Sequence, residues 1–501
     1  MNWENLKATL LAELADRIDR RAEADKRDSL HNLASAFYRR FPAEDLRGRS
    51  PENLYGCLYG LLRFMRRFEA DEGPRVRIFN PQLDRHGWES SATVVAILCR
   101  DMPFCTASVR GEINQRQLPI HTLASCNLVT RRDGDGGLEA VLPPGAEAPA
   151  GASAESLLYF EIGRHSDVAE LEPLRQALED ILGEVARVVD DFTPMRERLS
   201  VAAADLAAAG CVDREEREEA RAFLDWLKHD HVTFLGYEYL AVSRAGAGYE
   251  VESRADTHLG ILRERETRGP RDLGEDLATT APAVLHDSVL TFGKSRRRSR
   301  VHRQAYPDYI EVKVFDEAGE VVGQHRFLGL YTAAVYTMNP SLIPVLRRKV
   351  DAVLALSGLD TSEHDGRELI RVLELFPRDE LFQSSVQDLY ETASAVNRIQ
   401  ERRQTRLFVR RDAHDKFVSC MVYMPRDRYT TERRQRVQRI LSGAFAAEES
   451  EFTTLFTESI LVRVHFVLRV DPERLTAYDV NEIEEQIVQA TLAWEDRLRH
   501  R

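Results

Sequence analysis

The sequence predicts a multi-domain α+β protein, on three observations. At 501 residues the chain is longer than one hydrophobic core supports. Its opening stretch carries helical periodicity, whereas later segments alternate apolar runs of strand length with helical stripes. The order β-α-β-β-α occurs twice, over residues 92–192 and again after residue 405, with no sequence identity between the copies.

An N-terminal helical segment spans residues 1–74. Leu6, Leu10, Leu11 and Leu14 share one helical stripe, and Leu30, Leu33, Ala34 and Phe37 share a second. Leu54, Leu58, Leu61, Leu62 and Met65 form a third after Ser50-Pro51-Glu52, a capped start with proline in the first turn. In the next domain, residues 75–200, strands are expected at 75–81 and 92–99, a helix at 106–117 and a strand at 118–130. The Gly-, Ala- and Pro-rich stretch 134–153 has little to pack and is expected to be a mobile hairpin tip. A strand at 157–162 follows, then a helix whose apolar face holds Leu174, Leu178, Ile181, Leu182, Val185 and Val189. This is the ferredoxin-like order.

A charged helix at 213–229 opens a β-rich, mixed middle domain, 213–338. Its strands are expected at 232–242, 249–251, 289–293, 309–315 and 324–336, with a turn at 316–319. A helical linker, 339–404, contains a helix through Ile343, Leu346, Val350 and Leu354, one at 366–375, and a single long helix at 379–404. The last unit, 405–501, has strands at 406–410, 417–423, 451–458 and 461–470, with helices at 431–445 and 480–497. Val462, Val464, Phe466, Leu468 and Val470 lie on one face and Arg463, His465 and Arg469 on the other, so a half-buried strand is expected. The chain ends on a helix without returning to a fourth strand, which reads as truncation.

Charge and composition narrow the function. With 69 basic and 82 acidic residues the net charge is -13, which disfavours a global electrostatic binder of nucleic acid or membrane. Six cysteines without CxxC spacing read as reduced, packed thiols of a cytoplasmic protein. Neither a secretion signal nor a membrane-spanning run is legible. Gly134-Asp135-Gly136-Gly137 places Glu139 where a dinucleotide loop needs its third glycine, and Gly293-Lys294-Ser295 has Ser288 at the earlier P-loop glycine. No cofactor site is expected. His229 and His231 flank Asp230 without a third ligand, so they read as surface or capping residues and no metal is expected. The basic run Lys294, Arg296, Arg297, Arg298, Arg300, His302 and Arg303 has no interleaved aromatics. It reads as a solvated loop or an intersubunit salt-bridge surface, not a nucleic-acid site.

The most distinctive text lies at Val76-Arg77-Ile78-Phe79-Asn80-Pro81, Asp101-Met102-Pro103-Phe104, His231-Val232-Thr233-Phe234-Leu235-Gly236-Tyr237, Phe327-Leu328-Gly329-Leu330-Tyr331 and in the block 376–429. In these motifs, in this order, the chain resembles the N-terminal part of the large bacterial NAD-specific glutamate dehydrogenases. The resemblance implies ACT-type βαββαβ modules with intervening domains. It also implies a catalytic domain downstream, where NAD would serve the conversion of L-glutamate and water to 2-oxoglutarate and ammonia. No catalytic or cofactor-binding residue is assigned in this chain.

By the same resemblance, the strand-to-helix loop Asp101, Met102, Pro103 and Phe104 is a candidate site for a small amino-acid effector. A helix N-terminus there offers N–H groups to an α-carboxylate, and Asp101 suits an α-amino group. The same residues also read as a plain helix start, with Asp101 as cap and Pro103 in the first turn. The corresponding loop of the last unit, Arg426, Asp427 and Arg428, is a candidate intersubunit or ion-pair loop. Expected partners are further copies of the chain, in a homo-oligomer, and the downstream catalytic region. Two functions stay open: a regulatory and oligomerisation region of a glutamate dehydrogenase, or a stand-alone amino-acid-sensing ACT scaffold without dehydrogenase activity.

Overall fold

A computed structural model describes residues 3–69, 72–145, 149–245, 248–266, 288–399, 402–412, 416–475 and 477–491. The chain divides into two compact units: Met1–Asp190 with Ser299–Ala305, and Asp191–Arg298 with Tyr306–Arg501.

The first unit begins with helices α1 (Trp3–Arg21), α2 (Ala24–Tyr38) and α3 (Pro51–Phe64). Ser50 caps α3 by accepting the Asn53 N–H, as Ser-Pro-Glu predicts. The apolar stripes of these helices, among them Leu14, Leu30, Phe37, Leu58 and Leu61, pack on Val94, Ala96, Leu98, Ala124 and Tyr159 of a sheet. That sheet contains β1 (Arg75–Phe79), β2 (Thr93–Arg100), β3 (Ile120–Arg132), β4 (Leu138–Val141) and β5 (Ala152–Ile162), in the antiparallel order β1-β2-β5-β3-β4. The short helix α4 (Leu83–His86) lies between β1 and β2, while α5 (Cys105–Gln115) and α6 (Glu172–Asp190) follow β2 and β5.

The elements β2, α5, β3, β5 and α6 are the expected βαββα. In the ferredoxin-like order the place beside β2 belongs to a strand that follows the second helix. Here β1, which precedes the first, occupies it.

The stretch expected to be a mobile hairpin tip is partly anchored. β4 pairs with β3, and Asp133 Oδ1 accepts the N–H groups of Asp135 (3.0 Å) and Gly137 (2.7 Å). Gly136 takes a left-handed φ of 72° and its carbonyl accepts the Phe68 N–H at 3.0 Å. Composition reads as idle what local hydrogen bonding has tied down; residues 146–148 of this stretch lie outside the described ones.

The second unit opens with α7 (Phe192–Ala208) and α8 (Arg214–Leu227), the latter capped by Asp213. Both pack on a five-stranded antiparallel sheet of β6 (Val232–Ala245), β7 (Gly248–Gly260), β8 (Leu290–Lys294), β9 (Asp308–Phe315) and β10 (Val321–Tyr331), ordered β7-β6-β10-β9-β8. β10 stops at Tyr331, earlier than expected, because the chain turns into α9 (Ala333–Thr337).

The linker folds as α10 (Leu346–Ser357), α11 (His364–Glu374), α12 (Arg378–Gln383) and α13 (Val386–Ile399). The single helix expected at 379–404 is thus broken at Ser384 and Ser385. Ser385 Oγ accepts the Asp388 N–H at 3.0 Å, and Lys349 Nζ donates to the carbonyls of Leu381 (3.0 Å), Phe382 (2.7 Å) and Ser384 (2.8 Å). A lysine on another helix satisfies the carbonyls that the break frees.

The last sheet holds β11 (Arg406–Arg411), β12 (Phe417–Pro425), β13 (Glu449–Phe456) and β14 (Leu461–Arg469), in the order β11-β12-β14-β13. Helices α14 (Thr431–Ala444) and α15 (Val480–Thr491) cover one face through Val437, Leu441, Ile483 and Ile487. The topology matches that of the first sheet, with β11 in the place of β1. An empty fourth position is therefore no argument for truncation, since β11 fills it; residues 492–497 of the expected last helix lie outside the described ones. On the polar face of β14, His465 is buried beside Glu380 of α12, whereas Arg463, Val467 and Arg469 are half-buried.

Candidate functional site

The loop joining β2 to α5 presents the first candidate residues. Asp101 does not cap α5: that position falls to Phe104, in a left-handed conformation with φ 73° and no side-chain cap. Asp101 instead ties the loop to the sheet. Its Oδ1 accepts from Ser156 Oγ at 2.7 Å, both oxygens accept from Asn127 Nδ2 at 3.0 Å, and its N–H donates to Ala154 O at 3.0 Å. A carboxylate has about four acceptor positions, so roughly one remains, on Oδ2. Phe104 packs 4.8 Å from the His302 ring, Met102 Sδ lies 3.3 Å from the Arg100 guanidinium, and Pro103 is exposed. Behind the loop, Cys99 and Cys105 bring their sulfurs to 3.9 Å. The hydrogen bond between them holds the Cys105 thiol below its usual range and pushes Cys99 well above it.

The equivalent loop of the last sheet is a short 3-10 turn, Arg426–Arg428, within the second unit. Arg426 donates its N–H to Ile460 O at 2.7 Å and lies 5.5 Å over the Phe456 ring. Asp427 pairs with Arg403 at 3.1 Å, and the Arg428 carbonyl accepts from Arg433 at 2.8 Å. These contacts are intramolecular. Thr430, not the loop, caps α14.

The basic run is a solvated loop only in part, with Arg297 and Arg298 exposed. Lys294 is enclosed between Asp308 (2.9 Å) and Asp379 (3.0 Å). Burial works against its charge, but the two carboxylates outweigh it and hold the ammonium above its usual range. Arg298 reaches Glu451 at 2.8 Å and lies 4.9 Å over Tyr306, while Arg300 pairs with Glu184. Ser299 and Val301 are buried. Arg298 and Arg300 are thus taken up by carboxylates of their own chain. His229 and His231 each donate from Nδ1, to the carbonyls of Asp225 (2.9 Å) and Trp226 (2.7 Å) at the end of α8, and His231 stacks on Trp226 at 4.0 Å.

Sequence reasoning missed the buried polar networks. Tyr237 Oη meets His325 Nδ1 at 2.8 Å, and His325 Nε2 meets Asp205 Oδ2 at 2.8 Å, linking β6, β10 and α7. Burial keeps His325 below its usual range, opposed by Asp205. Next to it Arg326 lies between Glu311 (2.7 Å) and Glu238 (3.3 Å), over the Tyr309 ring. The signal available was Gln324-His325-Arg326 leading an apolar run, since charge inside a buried strand requires partners. A third network joins α12 to the last sheet: Arg410 donates to Glu380 at 2.7 and 2.9 Å, and His465 shares a 2.8 Å bond with Ser419. Burial would raise the Glu380 carboxyl, but Arg410 and His465 hold it well below the usual range.

The charged members of these networks pair with one another, while Glu311 Oε2 and both side-chain polar atoms of neighbouring Gln324 are buried without a hydrogen-bond partner among the described residues. Among the described residues no cluster of three or more His, Cys, Asp or Glu is placed to hold a metal. In the glycine-containing turn at Gly134–Gly137, the Gly137 N–H is bound to Asp133 Oδ1 at 2.7 Å and so is not free to meet a pyrophosphate.

Comparison with known proteins follows the same order along the chain. Residues 33–178 match the family described as glutamate dehydrogenase, ACT1 domain; residues 343–402 match glutamate dehydrogenase, helical motif 1; and residues 406–495 match glutamate dehydrogenase, ACT2 domain. The NAD-specific glutamate dehydrogenase of Halomonas elongata is 38% identical over 498 residues, covering 99% of this chain and 31% of the relative. That of Pseudomonas aeruginosa is 40% identical over 466 residues, 93% of this chain and 29% of the relative. That of Mycobacterium tuberculosis is 32% identical over 372 residues, 71% of this chain and 22% of the relative. The chain therefore spans less than a third of the length of these relatives.

Proposed function

Since the chain belongs, by these matches, to the ACT-domain region of the NAD-specific glutamate dehydrogenase family, we propose that it is the regulatory and oligomer-building N-terminal region of such an enzyme. The whole protein would oxidise L-glutamate with NAD and water to 2-oxoglutarate, ammonia and NADH, with no hydride transfer by residues of this chain. The observation that carries this reading is the twofold occurrence of one permuted ferredoxin-like sheet, ordered β1-β2-β5-β3 in the first copy and β11-β12-β14-β13 in the second. Such a region has rigid surfaces to offer, not reacting groups.

The proposed division is 1–74, 75–200, 213–338, 339–404 and 405–501. Self-association is supported by β13, a sheet-edge strand on which Phe452 and Phe456 stay 44% and 48% exposed. The Asp101 to Phe104 loop is the proposed effector site, its remaining Oδ2 position suited to an α-ammonium group; Arg426, Asp427 and Arg428 line the proposed intersubunit loop. An effector bound there shifts the enzyme only through unequal affinity for its states. A cytoplasmic location is supported by six free thiols, five of them buried, and no described helix is long and apolar enough to cross a membrane.

The test is a thermal-shift screen of this chain against the free amino acids, with NADH formation from glutamate assayed alongside. The reading expects one amino acid to raise the midpoint selectively, the shift to vanish in Asp101→Ala, and no NADH to form. NADH formation by the chain alone would overturn the assignment, and an undiminished shift in Asp101→Ala would overturn the effector loop.

A further inference from the structure

A cavity of about 620 Å³ opens in the first unit between α3, β1 and the segment from α4 to Trp88. Its lining is unusual for a chain of net charge -13. Arg63 of α3, Arg77 of β1 and Arg85 of α4 all border it, and none has a carboxylate within ion-pair distance among the described residues. Elsewhere in the same unit Arg49 holds Glu161 at 2.7 Å and Arg132 holds Glu155 at 2.5 Å. The backbone explains the convergence. Arg75, Arg77 and Phe79 alternate onto one face of β1, the face that meets α3, and Arg77 is laid 4.3 Å over the Phe79 ring.

Trp88 and His86 in the lining are also donors. Trp88 is only 2% exposed, and its indole N–H has no acceptor among the described residues. Gly60 leaves that N–H open, since a Cβ there would stand 3.3 Å from Nε1. His86 Nδ1 accepts the Gln82 N–H at 3.0 Å, which leaves the ring proton on Nε2. Burial, with Arg77 nearby, holds His86 below its usual range and so in this neutral, donating form. Burial first, and then the neighbouring charge of Arg63, hold Arg77 below its usual range. Glu179 also lines the cavity but is paired with Arg175.

We propose that this cavity binds a small organic polyanion whose phosphate or carboxylate groups are held by Arg63, Arg77 and Arg85, with an acceptor atom on the Trp88 N–H. Arginine binds both anion types through paired N–H donors, and the volume lies within the usual range for ligand pockets, about 300–1,000 Å³. The site lies apart from the Asp101 loop and does not depend on that loop being an effector site.

Isothermal titration of the whole chain with tripolyphosphate, ATP and citrate at low salt tests this. At least one probe should bind, with affinity at least tenfold lower in Arg63→Gln and in Arg77→Gln, and unchanged in Asp101→Ala and in the exposed control Arg110→Gln. Neither Arg63 nor Arg77 belongs to the buried core, so folding should be retained, which circular dichroism checks. Preference between ATP or tripolyphosphate and citrate separates the phosphate from the carboxylate source. Absence of binding by all three probes would overturn the proposal, as would equal loss in Arg110→Gln, which signals general charge attraction.

Discussion

Removing the Glu380 carboxylate should destabilise the second unit by leaving Arg410 buried and uncompensated. The side chains of Arg410 and Glu380 are 17% and 4% exposed and meet through two bonds of 2.7 and 2.9 Å. Charge centres about 4 Å apart at an effective dielectric constant near 20 attract by about 4 kcal/mol. Breaking a buried pair from one side costs about 3–5 kcal/mol. Gln383 Oε1 also accepts from Arg410 at 2.9 Å, so Glu380→Gln is expected near the lower end, about 3 kcal/mol. Urea unfolding followed by Trp226, which packs against the core of that unit, reports the change.

The pH dependence has a definite sign. Glu380 is held well below the usual carboxylate range, so its contribution is present above the unfolded value of about 4.3 and is lost as pH falls below it. The difference between wild type and Glu380→Gln should be constant from pH 6 to 8 and narrow in acid. The double variant Glu380→Leu with Arg410→Met removes both charges and should recover most of the loss. A loss under about 1 kcal/mol in Glu380→Gln, or a double variant no better than the sum of the two singles, would refute the reasoning.

Gly136→Ala should lower stability by about 1–2 kcal/mol or more by thermal melt of the first unit, because φ is 72° and a Cβ would stand 2.8 Å from the Phe68 carbonyl. Phe452→Glu with Phe456→Glu should abolish concentration-dependent self-association measured by light scattering while leaving the circular dichroism spectrum unchanged. Lys349→Met should destabilise the break between α12 and α13 by about 1–3 kcal/mol, seen as a lower urea midpoint, because three buried carbonyls lose their donor.

Much of the architecture is legible from local pattern. The stripe Leu54, Leu58, Leu61 and the cap Ser50 announce α3, and the alternation from Val462 to Val470 announces β14. Each is a short-range signal: a helix or strand of one period hides one face, and that period is written in adjacent residues. The βαββα order, the absence of a glycine-rich phosphate loop and the family motifs come from the same local text. Where the pattern misled, a distant or polar group was responsible. Ser385 and Lys349 break the helix expected at 379–404, and Asp133 pins a turn that composition marks as mobile.

What local pattern cannot carry is which distant groups meet. That β1 and β11 fill the fourth places of their sheets follows from hydrogen bonding to β2 and β12, and nothing in their own five or six residues states it. Asp101 reads as a cap from its neighbours, but Ser156 and Asn127, far along the chain, claim its carboxylate. Lys294, Arg298 and Arg300 read as part of a solvated run until Asp308, Asp379, Glu451 and Glu184 are placed beside them. Conversely nothing in the sequence around Arg63, Arg77 and Arg85 groups them, and the fold gathers them around one cavity. Periodicity reports how much of an element is buried, because burial acts residue by residue. The pairing of charges depends on distances between elements, and those exist only once the chain has folded.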